Sequence, residues 1–341
     1  MGLAQGVSTL SSAQLAGWAT AAGFDLVGFA RAEPIPPAAL TDWLAQGHHA
    51  DLDWMQERLA ERLDPGLLLP GARTAVALAS NYWREDGVSP VARYARGRDY
   101  HATHRDRLRA LRRQLRAQAP SVHDYGSVDA NPVMEKVWAV RAGLGVVAKN
   151  GCLVTPRFGS WVVLAVWFLD AEVDAYAAPG GEDRCGKCRL CIDACPTSAI
   201  VQDRVVDARA CLSYQTIENE APVPGPLREA MADVVFGCDV CQQVCPLNEA
   251  PLLAHERFAP RALAAKGTAE LAALTRAEYD ALAPGTPLAR AGYDGLRRNA
   301  AYALGAARDA SARGVLERLC GDDSAKVREA AAWALARFLS P

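Results

Sequence analysis

Residues 185–196 read CGKCRLCIDACP, and residues 238–246 read CDVCQQVCP. The first run has the spacing Cys-x2-Cys-x2-Cys-x3-Cys-Pro, in which three closely spaced thiolates wrap one cubane iron–sulfur cluster and the fourth cysteine ligates a second cluster. The second run matches the last three cysteines of that pattern, but Val235 stands where its first cysteine would be. The two runs therefore predict a segment that folds around two four-iron clusters.

The distribution of the cysteines supports two sites of four thiolates each. Eight of the ten cysteines fall between residues 185 and 245, and only Cys152 and Cys320 lie elsewhere. Cys211 belongs to neither run and fills the position lost at Val235. Because the fourth cysteine of each run crosses to the other cluster, cluster one takes Cys185, Cys188, Cys191 and Cys245, and cluster two takes Cys195, Cys211, Cys238 and Cys241. Two structural zinc sites are the alternative, but zinc does not require the triple run or the Cys-Pro endings.

Length and composition are those of a globular multidomain protein. The 341 residues suffice for two or three domains, and the net charge of −2 excludes a globally basic nucleic-acid coat protein. The opening residues, MGLAQGVSTLSSAQ, have neither the charged nor the apolar region of a signal peptide. The longest apolar stretch, residues 161–169, is too short to cross a bilayer as a helix. We expect a monomeric cytoplasmic protein that makes no membrane contact.

The predicted fold class is an α+β multidomain protein. Residues 9–30 read as an amphipathic helix followed by a strand, and residues 74–80 and 161–169 read as buried strands. Together with a helical stretch at residues 104–119, this alternation indicates an α/β or α+β arrangement. We expect an N-terminal α/β domain that binds cofactor and substrate (residues 1–175), a ferredoxin-like dicluster domain (residues 176–250) and a helical tail (residues 251–341).

The tail contains an internal repeat. Residues 296–304 read LRRNAAYAL and residues 327–335 read VREAAAWAL, which is a period of 31 residues. Alanine-rich helices that recur in this way indicate HEAT-like repeats, although the usual HEAT period is longer. A plain helical cap is the alternative.

Residues 84–116 contain ten arginines against four acidic residues. Leu108, Leu111 and Leu115 give the helix in this stretch a buried stripe, which leaves the arginines largely solvated. Phosphate contact is the second interpretation, because the guanidinium fork matches phosphate oxygens.

Two classes of function compete on the residues alone. The protein is either a dicluster electron carrier or a reductase whose N-terminal domain holds a second cofactor. Roughly 170 residues of additional domain are superfluous for a carrier, which favours the reductase. NAD gains little support, because no GxGxxG run follows a strand.

The chain resembles the epoxyqueuosine reductases over nearly its whole length. The resemblance rests on both cysteine runs and on GFDLVGFA (residues 23–30), RYARGRDYH (93–101), VDANPVMEK (128–136), RAGLGVVAKN (141–150), GSW (159–161) and CLSYQTIE (211–218). It implies a cytoplasmic oxidoreductase that uses cobalamin and two [4Fe–4S] clusters in the last step of queuosine biosynthesis. In that step, epoxyqueuosine at the wobble position of a tRNA anticodon loses its epoxide oxygen as water and gains an alkene.

The resemblance also implies partners and leaves one related alternative. The partners are the tRNA anticodon stem-loop that carries epoxyqueuosine and a low-potential electron donor whose identity the sequence does not give. Reductive dehalogenases are similar in pairing cobalamin with two clusters, but they usually carry an export signal.

Individual roles follow from the resemblance, motif by motif. The match to VDANP makes Asp129 the general acid that protonates the leaving epoxide oxygen beside the cobalamin. A turn former is the alternative for an aspartate shortly before Asn-Pro. The other residues expected to line the cofactor pocket are Tyr100, Lys149, Asn150, Ser160, Ser213, Gly237, Asp239 and Gln242. Residues 146–148 and Gly151 depart from the family pattern, and no Asp-x-His-x-x-Gly motif provides a histidine ligand to cobalt.

Overall fold

A computed structural model describes residues 9–181, 183–249 and 252–338. The strands within these residues are β1 (Thr9–Leu10), β2 (Leu26–Arg31), β3 (Thr74–Asn81), β4 (Asp124–Ser127), β5 (Val146–Val147), β6 (Leu153–Val154), β7 (Val162–Leu169), β8 (Glu172–Val173), β9 (Ile200–Gln202) and β10 (Val205–Val206). The α-helices are α1 (Ser12–Ala21), α2 (Ala38–Ala45), α3 (Leu59–Leu63), α4 (Tyr100–Gln118), α5 (Glu135–Arg141), α6 (Leu190–Asp193), α7 (Leu212–Ile217), α8 (Gly225–Arg228), α9 (Val240–Gln243), α10 (Thr268–Ala272), α11 (Arg276–Leu282), α12 (Gly292–Ala306), α13 (Arg313–Leu319) and α14 (Ala325–Ala336). No helix of the described residues is long and apolar enough to span a membrane.

The N-terminal half is built on a four-stranded sheet in the order β2-β3-β7-β4. Every neighbouring pair is antiparallel, which decides between the two predicted arrangements in favour of α+β. All residues of β3 are buried, because successive side chains point to opposite faces and both faces are covered. Val76 and Leu78 pack in a cluster with residues of α1 and α4, and Ala77 packs with residues of α5.

Helix α4 packs against this sheet and begins at Tyr100, directly after its cap residue Asp99. The Asp99 side chain accepts a hydrogen bond from the backbone N–H of His101 at 2.9 Å, which satisfies one of the free donors of the first turn. Leu108, Leu111 and Leu115 are buried, as their spacing predicts. The start of α4 therefore places Tyr100 at a fixed position beside the sheet.

The prediction that the arginines of residues 84–116 are largely solvated is wrong for two of them. The guanidinium of Arg107 is buried, donates a hydrogen bond to Oγ of Ser80 and lies 5.5 Å from the ring centroid of Phe24. Arg96 is also buried and pairs with Asp86 at 2.7 Å. Counting charges along the chain misses these partners, because tertiary contacts bring them together.

The dicluster segment and the tail share one hydrophobic core. Val235, which stands where a cysteine would complete the second run, is fully buried with residues of α12 and α14. Its carbonyl oxygen accepts a hydrogen bond from Nδ2 of Asn299 at 2.9 Å. The repeated sequences form α12 and α14, which pack so closely that a Cβ on Gly305 would lie 2.6 Å from Ala334. Residues on both sides of position 250 therefore belong to one hydrophobic core. The domain boundary expected at residue 250 stays a prediction.

Candidate cluster and catalytic site

The four thiols assigned to cluster one surround one cavity. Cys185, Cys188, Cys191 and Cys245 line a cavity of about 70 Å³, of which Lys149 and Asn150 form another wall. Burial raises the pKa of the Cys191 thiol, and Cys245, Cys185 and Cys188 raise it further. The fold thus brings Cys245 to the first run, although it lies 54 residues after Cys191 in the sequence. This contact is required if the fourth cysteine of each run ligates the other cluster.

The thiols assigned to cluster two also lie together. Burial raises the pKa of Cys238 to about 11, and Cys211 and Cys195 contribute to this rise. Burial likewise raises the pKa of Cys211, with Cys195 adding to it. Ligands must be deprotonated, and closely placed buried thiols give up their protons only when a metal replaces the positive charge. The arrangement therefore fits an iron–sulfur cluster at each site.

A ninth thiol lies against cluster two. The thiols of Cys152 and Cys241 interact, which lowers the pKa of Cys152 and raises that of Cys241. The same segment holds the backbone of Cys241, because Nδ2 of Asn150 donates to its carbonyl oxygen at 3.2 Å. Spacing alone gave no sign of this contact, since Cys152 lies far from both runs in sequence.

The expected general acid lies in the loop between β4 and α5, which we call the catalytic loop (residues 128–134). Asp129 has a φ of +51°, a left-handed conformation that is uncommon for a residue with a side chain. The hydroxyl of Tyr100 donates a hydrogen bond to Oδ2 of Asp129, and Nε2 of His101 lies 3.7 Å from the same oxygen. The Asp129 side chain remains 62% exposed, so a bound molecule has to provide the burial that a proton donor needs.

A half-buried glutamate supports the catalytic loop from behind. Oε1 of Glu135 accepts hydrogen bonds from the backbone N–H of Asp129 at 3.0 Å and from Oγ of Ser127 at 2.9 Å. Burial raises the pKa of Glu135 to about 7, and the charge of Asp129 adds to the rise. Burial also raises the pKa of Tyr100, as does Asp129. Glu135 was missed at the level of sequence, although it belongs to the VDANPVMEK motif that marks Asp129.

Several residues expected at the cofactor form one polar group between the sheet and the second cysteine run. Oε1 of Gln242 accepts hydrogen bonds from Oγ of Ser160 at 2.9 Å and from the hydroxyl of Tyr82 at 3.2 Å. Nε2 of Gln242 lies 3.5 Å from Oδ1 of Asp239. Asp239 also accepts a hydrogen bond from the backbone N–H of Arg93 at 2.7 Å.

Tyr94 connects this group to the catalytic loop. Its ring centroid lies 6.0 Å from that of Tyr100 and 6.4 Å from that of Phe236, the residue before Gly237. Gly237 adopts a positive φ of 68°, and a Cβ there would lie 2.6 Å from Cβ of Ala92. Only glycine fits this close approach, so the backbone before cluster two lies directly against the N-terminal half.

Three expected pocket residues lie beside cysteines that are assigned to the clusters. Lys149 and Asn150 line the cavity of cluster one, and Nζ of Lys149 pairs with Asp203 at 3.3 Å. The backbone N–H of Ser213 hydrogen-bonds to Cys211 and opposes the rise of the pKa of that thiol. The structure does not bring these three residues to the side chain of Asp129, and their contact with cobalamin stays a prediction.

The residues around Gln242 fit a large polar cofactor. Nε1 of Trp161 and Nε of Arg93 are buried donors without a hydrogen-bond partner in the described residues. The guanidinium of Arg93 lies 5.9 Å from the Trp161 ring, and that ring lies 6.0 Å from the ring of Tyr82. The two donors therefore remain available to the amide oxygens that surround a corrin ring.

The fold and the site define an iron–sulfur oxidoreductase with a double-cluster segment. Residues 184–248 match a family described as a 4Fe-4S double cluster binding domain. Residues 62–130 match the family "Epoxyqueuosine reductase QueG, DUF1730", and residues 286–341 match HEAT repeats. The predictions of two [4Fe–4S] clusters and of a HEAT-like tail are confirmed.

The chain belongs to the epoxyqueuosine reductase family. It is 39% identical over 322 residues to the epoxyqueuosine reductase of Gloeobacter violaceus, covering 89% of this chain and 98% of that protein. It is 35% identical to the Xanthomonas campestris enzyme over 98% of both chains. A crystal structure of epoxyqueuosine reductase with an epoxyqueuosine-modified tRNA stem loop superimposes with a TM-score of 0.89 at 29% identity, covering 96% of this chain and 90% of the other. The predicted enzyme class is confirmed, and the fold is that of the reductase.

A second solved relative shows a different position of its own catalytic loop. The epoxyqueuosine reductase of Bacillus subtilis, with a TM-score of 0.85 and 29% identity over 96% of this chain and 90% of its own, has been solved with its catalytic aspartate loop swung out of the active site.

Proposed function

We propose that this chain reduces epoxyqueuosine to queuosine in the anticodon of tRNA, as the last step of queuosine biosynthesis, and that Asp129 is the proton donor. The observation that carries the proposal is the geometry of the catalytic loop. A carboxyl group in a left-handed backbone conformation is held from one side by Tyr100 and from behind by Glu135. Family membership supplies the substrate.

The reaction needs two electrons and two protons for each epoxide. Both carbon–oxygen bonds of the epoxide break, a carbon–carbon double bond forms, and the oxygen leaves as water. Because an alkoxide is a poor leaving species, one proton has to reach the oxygen as the first of these bonds opens. Asp129 delivers that proton, and the hydroxyl of Tyr100 holds its carboxyl group in place by donating a hydrogen bond to Oδ2.

Cobalamin, when bound, would supply a reduced cobalt centre able to act on a strained epoxide. Ser160, Gln242 and Asp239 would hold its polar periphery, with Nε1 of Trp161 and Nε of Arg93 as further donors. The close approach of Gly237 to Ala92 and the contact of Tyr94 with Tyr100 support a cofactor position between the second cysteine run and the catalytic loop.

Cluster one would receive electrons from outside, and cluster two would pass them to the cofactor. Cys188 of cluster one is exposed, whereas Asp239 and Gln242, which flank Cys241 of cluster two, belong to the cofactor group. An external low-potential donor therefore reaches cluster one more directly than cluster two. We expect the protein to act as a monomer in the cytoplasm, where tRNA is modified.

The proposal is tested with anaerobically purified protein. Its visible spectrum should show cobalamin bands beside the broad iron–sulfur absorption. With dithionite as reductant, the loaded protein should convert an epoxyqueuosine-modified anticodon stem-loop into a product lighter by one oxygen atom, which mass spectrometry detects. Loaded protein that leaves the epoxide intact would contradict the proposal, whereas absorption from the clusters alone would return the chain to the class of electron carriers.

A further inference from the structure

An exposed tryptophan and an arginine from distant parts of the chain meet near the catalytic loop. Trp54 lies in the 3-10 turn Asp53–Met55 and is 40% exposed. Arg290 lies in the turn that precedes α12, and its guanidinium carbon lies 5.5 Å from the centroid of the Trp54 ring. A half-exposed tryptophan ring beside a guanidinium offers an open face on which a planar group can stack.

Both members of this pair are fixed by other groups. Arg290 donates hydrogen bonds to the carboxylate of Glu218, the shortest at 2.7 Å, and its side chain is still 58% exposed. The carbonyl oxygen of Trp54 accepts a hydrogen bond from Nη2 of the buried Arg62 at 2.7 Å. The backbone that carries the ring is therefore held independently of Arg290.

The pair lies close to the catalytic loop, because Leu63, which follows Arg62 in α3, packs in one hydrophobic cluster with Val133 and Met134 of that loop. The hydrogen bond to Glu218 raises the pKa of Arg290, and the carboxylate of Asp129 raises it further. Burial lowers the pKa of Arg62, and Glu135 and Asp129 oppose that effect. Trp54 thus lies between two arginines, Arg62 at its backbone and Arg290 at its ring, on the side of the catalytic loop.

A nucleotide that enters the catalytic site must leave the stacked anticodon loop. The bases next to it then lose a stacking partner, and proteins that read single-stranded RNA replace that partner with an aromatic ring or a guanidinium plane. We propose, on the basis of the proposed function, that Trp54 stacks against a base that flanks the wobble nucleotide and that Arg290 contacts the phosphate beside it. The competing explanation is that the pair only joins the tail to the N-terminal half.

A double-mutant cycle separates these explanations. Fluorescence anisotropy gives the Kd of a labelled epoxyqueuosine-modified stem-loop for wild type, Trp54→Ala and Trp54→Phe. Trp54→Ala loses the stacking of one base, so its Kd should be about 5- to 150-fold higher than that of wild type. Trp54→Phe keeps an aromatic ring and should recover most of the affinity. When the flanking base is replaced by an abasic site, first on one side of the wobble nucleotide and then on the other, Trp54→Ala should cost no further affinity for one of the two stem-loops.

Matched variants serve as controls. Val201→Ala removes an apolar side chain that is 50% exposed on β9, and it should bind like wild type. Arg290→Gln should reduce the slope of log Kd against log salt by somewhat less than about one unit, whereas Arg313→Gln, whose side chain is also 58% exposed and ion-paired, should not.

The possible results each decide between the two hypotheses. Wild type that fails to bind the modified stem-loop overturns the proposed function itself. Wild type that binds, together with Trp54→Ala of equal affinity or with fully additive losses at both abasic positions, overturns the stacking role and leaves the proposed function intact.

Discussion

Oε1 of Glu135 accepts a hydrogen bond from the backbone N–H of Asp129 at 3.0 Å. This bond reaches the one residue of the catalytic loop whose backbone is left-handed, and such strained conformations persist only where the surroundings determine them. Glu135 is the first residue of α5, and its second partner, Ser127, ends β4. The carboxyl group of Glu135 therefore joins the end of β4 to the backbone of Asp129, and it acts on the reaction only through the position of Asp129.

Replacement of Glu135 should lower kcat more than it raises KM for the stem-loop. Glu135→Ala removes the acceptor for both hydrogen bonds, so Asp129 is misplaced, and a shift of about 1 Å at a reacting group can cost about 100-fold in rate. Glu135→Gln keeps an oxygen acceptor and should restore most of the rate. Steady-state kinetics at equal iron and cobalamin content measure both variants. Glu317→Ala, an exposed glutamate of α13, is the control. If Glu135→Ala and wild type have equal kcat, Glu135 does not position Asp129.

The same carboxyl group should make stability depend on pH. Burial, with a contribution from Asp129, raises the pKa of Glu135 from the ordinary value of 4.5 to about 7. Between these values the folded protein binds a proton that the unfolded chain has lost, so the free energy of unfolding decreases as the pH rises. The shift corresponds to about 3 kcal/mol.

Urea unfolding under anaerobic conditions at pH 5 and pH 7.5 checks this effect. Wild type should lose more stability than Glu135→Gln over this interval, because the Gln variant cannot ionise. Glu317→Gln is again the control. A decrease of the same size in wild type and Glu135→Gln would show that the carboxyl group of Glu135 is equally acidic in the folded and unfolded states.

The cluster ligands can be tested one thiol at a time. Two cubane clusters hold about eight irons, and loss of one ligand should empty or impair one of them. Cys245→Ala should damage the cluster held by Cys185, Cys188 and Cys191, and Cys211→Ala should damage the other. Iron analysis and electron paramagnetic resonance separate the two signals. Full iron content and both signals in Cys211→Ala would show that another group fills the position of Val235.

Cys152 provides a stricter form of this test, because its thiol contacts Cys241 but is not assigned as a ligand. Cys152→Ala should keep about eight irons, as should Cys320→Ala, which changes a thiol of the tail. Loss of iron from Cys152→Ala alone would place Cys152 among the ligands.

The elements that sequence predicts well here are those whose chemistry is local. The cysteine runs specify clusters through spacing alone, and the apolar residues of β3 and β7 predict buried strands whatever their neighbours. The direction of those strands is not local, so the antiparallel sheet could not be chosen over a parallel one in advance.

The contacts that sequence misses join residues far apart in the chain. The basic stretch looked free to bind phosphate, yet Arg112 pairs with Asp124, whose Oδ2 also accepts a hydrogen bond from Nε1 of Trp167 at 2.8 Å. The partners of Arg112, like the contact between Trp54 and Arg290, exist only after the chain has folded. Glu135 is different, because it stands in the motif of Asp129, and its role could have been predicted from the position of α5 directly behind that loop.

Asp129→Asn tests the centre of the proposed mechanism. The amide keeps the size of the side chain and can still accept a hydrogen bond from Tyr100, but it has no proton of useful acidity to give. Turnover of epoxyqueuosine in the stem-loop should therefore fall by about 10²- to 10⁴-fold, which is the usual contribution of a general acid. Iron content, cobalamin content and the Kd of the stem-loop should stay close to those of wild type, because Asp129 holds none of these. Asp280→Asn, an exposed aspartate of α11 paired with Arg276, is the matched control and should keep the full rate. If Asp129→Asn works at the rate of wild type, Asp129 only shapes the turn before Asn131-Pro132, and the proton comes from water or from Tyr100.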